Sequence, residues 1–284
     1  MNRNQLSNIS LKWNPFSPEV PREALITTPR IEHFTWRIEN LAREGGFALV
    51  EGDVGTGKSV VLRLVDDRLT VGGEITVGEL TRPHARAADF YRELGHLFGV
   101  DLRPNNRWAG SKALRERWLR HLDSVRMRPV LLIDEAQEMQ SSILAELRLL
   151  ASSSFDTRNL LTVVLCGDQR LREKLGTPEL LPILSRVRAR LVMEPLSSQE
   201  LGEHLRVALA TAGNPQLMTT ELIATLAEHS AGNWRTLMNM GNELLAAALH
   251  QDAAQLDEKL YLDVFAVPQP QRTRRPSSSR GGGK

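Results

Sequence analysis

One glycine-rich stretch constrains the fold of this chain more than any other segment. Residues 52 to 61 read GDVGTGKSVV, which fits the pattern G-x-x-x-x-G-K-S. An apolar run, GFALVEG, leads into it, and a stretch with helical periodicity, SVVLRLVDDRL, follows it. A buried strand, a glycine turn and a helix in this order direct backbone amides towards a phosphate at the N-terminus of the helix. The stretch therefore predicts a nucleotide-binding loop, and it lacks the G-x-G-x-x-G spacing of a dinucleotide fold.

Nine consecutive residues of this loop are predicted to contact the nucleotide. They are Gly52, Asp53, Val54, Gly55, Thr56, Gly57, Lys58, Ser59 and Val60. We expect Lys58 to neutralise the β- and γ-phosphates, and Ser59 to hold the Mg²⁺ that bridges them. The predicted cofactors are therefore ATP and Mg²⁺.

A second motif, PVLLIDEAQ, ends an apolar run with two adjacent carboxylates. Asp134 is predicted to ligate Mg²⁺, and Glu135 is predicted to polarise the attacking water. Two carboxylates at the end of a buried strand lose hydration, which costs free energy unless a cation or a hydrogen-bond network contacts them. A solvated turn is the alternative for an isolated Asp-Glu pair, but the glycine loop upstream favours the catalytic interpretation.

Apolar runs and helical stretches alternate along the first two thirds of the chain. The predicted strands are GFALVEG, EITVGEL, PVLLIDE, LLTVVLCG and RARLVME. This alternation predicts an α/β fold, with a parallel sheet flanked by helices. After Pro195 only helical periodicity remains, which predicts a small all-helical domain. We expect Ser197 or Ser198 to begin its first helix and Gly213 to end that helix.

We expect four segments along the chain. They are an N-terminal arm (1–40), a P-loop domain (41–195), a helical lid domain (196–265) and a flexible basic tail (266–284). Two prolines in LKWNPFSPEV exclude a regular helix there, and Trp13 and Phe16 are candidate anchors for the arm. The tail carries five basic residues and no acidic one, a composition that cannot bury a core.

Composition excludes several classes of protein. Lys and Arg number 36 against 34 Asp and Glu, and a net charge of +2 is too small to indicate nucleic-acid binding by itself. The single cysteine, Cys166, lies in an apolar run, which excludes an intrachain disulfide and indicates a reducing compartment. Neither a membrane-spanning apolar run nor a signal peptide is evident. We therefore expect a cytoplasmic protein without a membrane partner.

The motifs together resemble one family. GDVGTGKS, LLIDEAQ, PLSSQE and GNWRTL are similar to the AAA+ ATPases of the ExeA type and to their relatives in bacterial transposons, of the TniB, TnsC, IstB and MuB kind. WNPF near the N-terminus and LSRVRARLVMEPLSSQE extend the resemblance over about residues 11 to 250. The resemblance implies a P-loop AAA+ core with a helical lid that closes over the nucleotide. It also implies a homo-oligomer, either a ring or a helical filament.

The resemblance implies roles for two residues around the γ-phosphate. Asp168 in LCGDQRL matches the position that senses this phosphate, although relatives often have Gln or Asn there. Gln169, the next residue, is the alternative sensor. Arg235 in GNWRTL matches the lid arginine that reads the bound phosphates.

A further arginine is implied to act between subunits. Arg186 in LSRVRAR matches the arginine that is supplied to the nucleotide of the neighbouring subunit, with Arg188 and Arg190 as alternatives. For any isolated arginine, a surface salt bridge is the competing interpretation.

Two functions remain in competition after these assignments. In the first, the chain is an ATP-dependent regulator of DNA transposition that oligomerises on double-stranded DNA and recruits or stimulates a transposase, with a further target-selection protein as another candidate partner. The alternative is an ExeA-type secretion-pathway ATPase, or another nucleotide-controlled assembly protein without a DNA role. ExeA-type proteins ordinarily continue through a membrane span, which this sequence does not show, so we expect the DNA-linked function.

Four arginines are candidate contacts to DNA phosphates. Arg82 and Arg86 lie in one predicted loop, and Arg103 and Arg107 lie in another, on either side of a single predicted helix. A solvated basic face is the alternative. The neighbouring Trp108 is expected to fill core and not to stack on a base.

Overall fold

The chain builds a five-stranded parallel sheet with helices on both faces, followed by a helical domain. The computed structural model describes residues 3–71, 73–80, 83, 86–102, 107–153 and 157–265. The strands are β1 (Gly46–Gly52), β2 (Val77–Leu80), β3 (Val130–Ile133), β4 (Ser152–Ser153), β5 (Arg158–Asn159), β6 (Thr162–Gly167) and β7 (Val187–Met193). The order in the main sheet is β2-β3-β6-β1-β7, and β4 pairs with β5 in a separate antiparallel hairpin.

The helices divide between the sheet and the C-terminal region. Those before or within the sheet region are α1 (Arg3–Asn8), α2 (Pro29–Glu44), α3 (Lys58–Thr70), α4 (Ala87–Leu97), α5 (Arg107–Val125), α6 (Ser141–Leu150), α7 (Gln169–Leu175) and α8 (Leu181–Leu184). The lid, as we name residues 198–265, contains α9 (Ser198–Ala212), α10 (Thr220–His229), α11 (Trp234–His250) and α12 (Glu258–Phe265). The predicted parallel sheet flanked by helices and the helical C-terminal region are thus confirmed.

The central strands are buried on both faces because helices cover both sides of the sheet. One face packs against α2 and α3, with Val50, Val61 and Val65 in its hydrophobic cluster. The other face packs against α4 to α8 and contains the buried side chain of Trp118. All main-sheet pairings are parallel, so the carboxyl ends of the strands meet at one edge. Loops from distant parts of the sequence therefore converge at this edge.

The N-terminal forty residues differ from the expected arm. Helix α2 crosses the expected boundary after residue 40, and its N-cap residue, Thr28, accepts a hydrogen bond from the amide of Ile31. Further upstream, Leu6, Ile9, Leu11 and Phe16 belong to the same hydrophobic cluster as α9, α10 and α11. The start of the chain is therefore built into the lid, because its apolar side chains complete the core of that domain.

The first helix of the lid, α9, begins and ends at residues that the sequence predicts. Ser197 accepts a hydrogen bond from the amide of Glu200, and the Glu200 side chain bonds back to the amide of Ser197. Gly213 ends α9 with a left-handed φ of +114°. The predicted basic tail, residues 266–284, lies outside the described residues.

Candidate nucleotide-binding site

The phosphate loop, residues 52 to 57, joins β1 to α3 at the carboxyl edge of the sheet. Gly55 and Gly57 have φ values of +87° and +97°, which L-residues with a side chain rarely adopt. Gly52 is tightly enclosed, because a Cβ there would lie 2.6 Å from the carbonyl oxygen of Met193. The loop conformation therefore requires glycine at these three positions.

Lys58 begins α3 and is positioned to meet phosphate oxygens. Its side chain is buried, with 6% of the residue exposed, and its Nζ donates to the carbonyl oxygen of Asp53 at 3.0 Å. Thr56 Oγ1 donates to the same carbonyl at 2.8 Å, which tightens the loop. A buried ammonium next to the first amides of a helix provides a cationic cradle that fits the phosphates of a nucleotide.

Ser59 and Asp134 form the part of the site that fits a magnesium ion. Ser59 Oγ donates to Asp134 Oδ2 at 2.8 Å, although 75 residues separate them in sequence. A hydroxyl and a carboxylate are the hard oxygen ligands that Mg²⁺ prefers. Within the described chain, no group of three or more His, Cys, Asp or Glu residues is arranged to hold a metal ion. Ser59 and Asp134 would hold Mg²⁺ together with phosphate oxygens and waters, as is usual for this ion.

Cys166 lies behind this pair, in β6. Burial raises the pKa of its thiol, and the neighbouring carboxylate of Asp134 raises that pKa further. The thiol is therefore neutral near pH 7 and packs as a buried residue of the sheet.

Glu135 follows Asp134 in a left-handed backbone conformation, with a φ of +51°. Its side chain is exposed at the carboxyl edge of the sheet. The side-chain amide of Gln137 donates a hydrogen bond to Glu135 Oε2, and Gln137 itself is buried. The carboxylate that was predicted to polarise water is thus held by a neighbour that the sequence reasoning overlooked.

Asp168 directly follows β6, as predicted, and it is the N-cap residue of α7. Its carboxylate is bonded to a residue of that helix. Oδ1 accepts from the amide of Arg170 at 2.9 Å and caps α7. The Arg170 guanidinium also pairs with this carboxylate at 2.8 Å and holds the pKa of Asp168 below its usual range. The alternative sensor, Gln169, is exposed and donates to Glu173 Oε1 at 3.2 Å. The assignment of a γ-phosphate sensor to Asp168 stays a prediction.

The lid contacts the phosphate loop directly through the start of α11. Asn233 Nδ2 donates to the carbonyl oxygen of Val54 at 2.9 Å, and the amide of Arg235 donates to the carbonyl oxygen of Gly55 at 3.3 Å. The site thus brings Arg235 next to the loop that it was predicted to monitor. Sequence reasoning missed Asn233, although an asparagine before a helical stretch is a recognisable N-cap signal.

The three arginines considered for a role between subunits are all engaged within the chain. Arg186 Nη1 donates to the carbonyl oxygen of Pro182. Arg188 pairs with Glu44 at 2.6 Å, and Arg190 pairs with Glu51, which is buried at the end of β1. The assignment of the intersubunit arginine to Arg186 stays a prediction.

Of the four arginines predicted to contact DNA, Arg82 and Arg103 lie outside the described residues, as does the side chain of Arg107. Arg86 is exposed at the N-terminus of α4.

The expectation that Trp108 fills the core is wrong. Trp108 lies at the start of α5, and 76% of the residue is exposed. Lys112 lies one turn further along the helix, with its Nζ 5.8 Å from the centre of the indole ring. Among the described residues, no helix combines the length and the apolar character that a membrane crossing requires.

Comparison with known proteins gives matches in sequence and in structure. The family model described as AAA domain matches residues 41–175. Over 209 residues the chain is 34% identical to the general secretion pathway protein A of Aeromonas hydrophila, and the match covers 72% of this chain and 37% of that protein. The chain thus spans a little over a third of the length of this relative.

Solved structures share the fold at low sequence identity. Cdc6p from Pyrobaculum aerophilum gives a TM-score of 0.69 at 15% identity, over 89% of this chain and 71% of that one. The Aeropyrum pernix ORC1 protein in complex with DNA gives 0.63 at 18% identity, over 87% and 67%. Drosophila ORC bound to DNA gives 0.61 at 20% identity, over 93% and 64%. These likenesses show a P-loop AAA+ fold, and the AAA domain model matches the part of the chain that contains the phosphate loop.

Proposed function

We propose that this chain is an ATP-dependent regulator of DNA transposition. In this proposal it binds and hydrolyses ATP, oligomerises on double-stranded DNA without sequence specificity, and recruits or stimulates a transposase at the target. The nucleotide half of the proposal rests on the phosphate loop, the carboxylates at the end of β3 and the lid contact, which lie together at one edge of the sheet.

Each residue of the site has a separate role in ATP hydrolysis. Lys58 neutralises phosphate charge, and Glu135 orients a water and accepts its proton. Ser59 and Asp134 would hold Mg²⁺, which supplies charge neutralisation at the phosphates when bound. Arg235 reads the phosphates from the lid, and Arg186 acts on the nucleotide of a neighbouring subunit. Because the lid touches the loop, a change in the bound phosphates alters lid position and hence the surface offered to another subunit.

One observation carries the DNA half of the proposal: the exposed Trp108 with the ammonium of Lys112 beside its ring. Trp108 is 76% exposed, so most of this aromatic residue is open to contact with a partner. The predicted contacts Arg103 and Arg107 lie within five residues of it in sequence, and Arg82 and Arg86 lie before the preceding helix and add positive charge. Cations next to an aromatic ring suit a nucleic acid, because they meet phosphates while the ring meets sugar or base.

The structural comparisons support this partner class. Two of the similar structures are described as bound to or in complex with DNA. At identities of 18% and 20% they share the fold with this chain, and we carry the DNA partner over as part of the proposal.

The test is binding to random-sequence duplex DNA in the presence of a slowly hydrolysed ATP analogue, at several salt concentrations. We expect affinity to fall steeply with salt, because cations released from the phosphates drive such binding. Trp108→Ala is expected to weaken binding by about tenfold, the loss of one stacking or packing contact. Trp36→Ala is the matched control, because Trp36 is also exposed but lies on α2. Equal binding by both variants, or no binding by the wild-type protein, would contradict the proposal.

A secretion-pathway role is the second candidate, and the identity of 34% to general secretion pathway protein A favours it. In that case the same ATP site would drive assembly on another partner. Nucleotide-dependent oligomerisation that is unaffected by DNA over the whole salt range would favour this candidate.

A further inference from the structure

A buried glutamine connects two parts of the nucleotide site that are distant in sequence. Gln137 is only 5% exposed, although Glu135, two residues earlier, is exposed. Its amide nitrogen donates to Glu135 Oε2, and its amide oxygen accepts from the backbone amide of Asp168 at 3.3 Å. A single side chain therefore links the carboxylate after β3 to the end of β6.

The turn that carries Gln137 is anchored from α7. Lys174 Nζ donates to the carbonyl oxygens of Gln137 and Met139, the latter at 2.8 Å. Arg170 pairs with Glu138 at 3.0 Å. These contacts attach the turn to α7, and the turn also follows β3 directly. Gln137 therefore has little freedom to move alone.

A glycine makes room for the glutamine amide. A Cβ at Gly167 would lie 2.4 Å from Gln137 Oε1, well inside van der Waals contact. Gly167 has no left-handed φ that would by itself require glycine. The close approach of the amide is therefore a physical reason for a glycine at the last position of β6.

We propose that Gln137 is a positioning residue for ATP hydrolysis, which orients the Glu135 carboxylate and couples it to the end of β6. By donating to one carboxylate oxygen, the amide fixes the rotamer of an exposed side chain and leaves the other oxygen to accept a hydrogen bond from water. Its second hydrogen bond ties this orientation to Asp168. The inference rests on the proposed function in one respect, namely that Glu135 activates the water.

Two substitutions test the two hydrogen bonds of the Gln137 side chain. Gln137→Met keeps the length and approximate volume of the side chain but removes both hydrogen bonds. Gln137→Glu keeps an acceptor for the Asp168 amide but replaces the donor to Glu135 with a second negative charge. Gln140→Met is the matched control, because Gln140 is an exposed glutamine three residues further along the chain.

The experiment measures steady-state ATP turnover and the affinity for a slowly hydrolysed ATP analogue, for the whole 284-residue chain in each form. We expect Gln137→Met to lower kcat by about tenfold to 100-fold with KM little changed, because a misplaced catalytic group costs rate and not binding. Gln137→Glu is expected to lower kcat at least as far, because loss of the donor and like-charge repulsion act together. Gln140→Met is expected to match the wild-type protein.

A double-mutant cycle with Glu135→Gln distinguishes positioning from a merely structural role. If Gln137 acts through Glu135, Gln137→Met lowers kcat no further in the Glu135→Gln background. An equal further loss there, or a wild-type kcat for Gln137→Met alone, overturns the inference. Unchanged turnover in Glu135→Gln alone would overturn instead the assignment of Glu135, so the two failures are distinguishable.

Discussion

The side-chain amide of Asn233 donates a hydrogen bond to the carbonyl oxygen of Val54 over 2.9 Å, and so attaches the lid to the phosphate loop. The Asn233 carboxamide oxygen at the same time caps α11 by accepting from the amide of Thr236 at 3.1 Å. A Cβ at Gly55 would lie 2.1 Å from that oxygen, so the loop glycine and the lid asparagine are complementary in shape. This contact gives the lid a direct physical link to the loop that is predicted to hold the phosphates.

Two substitutions at Asn233 are expected to separate its contact with Val54 from its role as the N-cap of α11. Asn233→Ser keeps a good N-cap residue but is too short to reach Val54, whereas Asn233→Ala removes both contacts. We expect both variants to bind ATP about fivefold more weakly, since each loses one hydrogen bond between lid and loop. Only Asn233→Ala should also lower the free energy of unfolding, by about 1 kcal/mol. Nucleotide titration and chemical denaturation measure the two effects, and wild-type ATP affinity in Asn233→Ser would contradict this role.

Lys58→Ala is expected to abolish useful nucleotide binding. The substitution removes a buried cation from the phosphate cradle, and we expect affinity to fall by about 100-fold or more. Lys259→Ala makes the same change of charge at an exposed position of α12 and serves as the control. Fluorescent nucleotide titration measures both variants, and tight ATP binding by Lys58→Ala would refute the site assignment.

Glu135→Gln is expected to retain ATP binding while slowing hydrolysis by about 100-fold or more, because the amide cannot accept the proton of the attacking water. Any ATP-bound assembly should therefore last longer in this variant. Phosphate release and sedimentation of assembled protein provide the measurements. Turnover at the rate of an exposed control, Glu179→Gln, would remove Glu135 from its assigned role.

Phe16→Ala is expected to destabilise the lid, although Phe16 lies more than 180 residues before it in sequence. The ring is 4% exposed and packs so closely over Gly241 that a Cβ there would meet it at 2.5 Å. Truncation of a buried Phe costs about 3–5 kcal/mol. Leu262→Ala, at a residue that is 62% exposed, is the control for thermal and chemical unfolding. Equal stability of the two variants would show that the N-terminal segment is not part of the lid core.

Asp168→Asn is expected to destabilise the protein at neutral pH but not at low pH. The pKa of Asp168 is lowered in the folded protein, chiefly by its hydrogen bond to Arg170. A lowered folded-state pKa contributes stability that is present above the ordinary value of 3.8 and is lost as pH falls through the lower folded value. Asparagine still caps a helix, so the variant isolates the ion pair. Urea midpoints of both proteins at pH 7 and at a pH well below 3.8 test the sign, and a stability difference that grows on acidification would contradict it.

The parts of the site that lie within one short segment could be predicted from sequence. The phosphate loop and the carboxylates after β3 follow from local patterns, since strand, glycine turn and helix adjoin one another. The Ser197 cap and the Gly213 stop are similarly local, and the structure has both. Helix α2 also had readable signals that the prediction of an arm did not use, namely Thr28 as N-cap and Pro29 as first residue.

Contacts between distant segments could not be predicted in this way. The bond between Asn233 and Val54 spans 179 residues, and no local pattern indicates which loop an N-cap residue will meet. The burial of Leu6, Ile9 and Phe16 in the lid is of the same kind, because apolar residues indicate burial without naming the partner. The two tryptophans of α5 show that residue type alone does not decide burial. Trp118 is 1% exposed and belongs to the core, whereas Trp108, ten residues earlier on the same helix, is 76% exposed.

The central claim is that ATP controls the assembly of this protein on DNA. Electron microscopy of the protein with random-sequence duplex DNA tests it most directly, in three samples that contain no nucleotide, ADP or a slowly hydrolysed ATP analogue. We predict rings or filaments on DNA only with the ATP analogue. Assemblies that form with the analogue equally well when DNA is absent, and that leave added DNA bare, would contradict the claim.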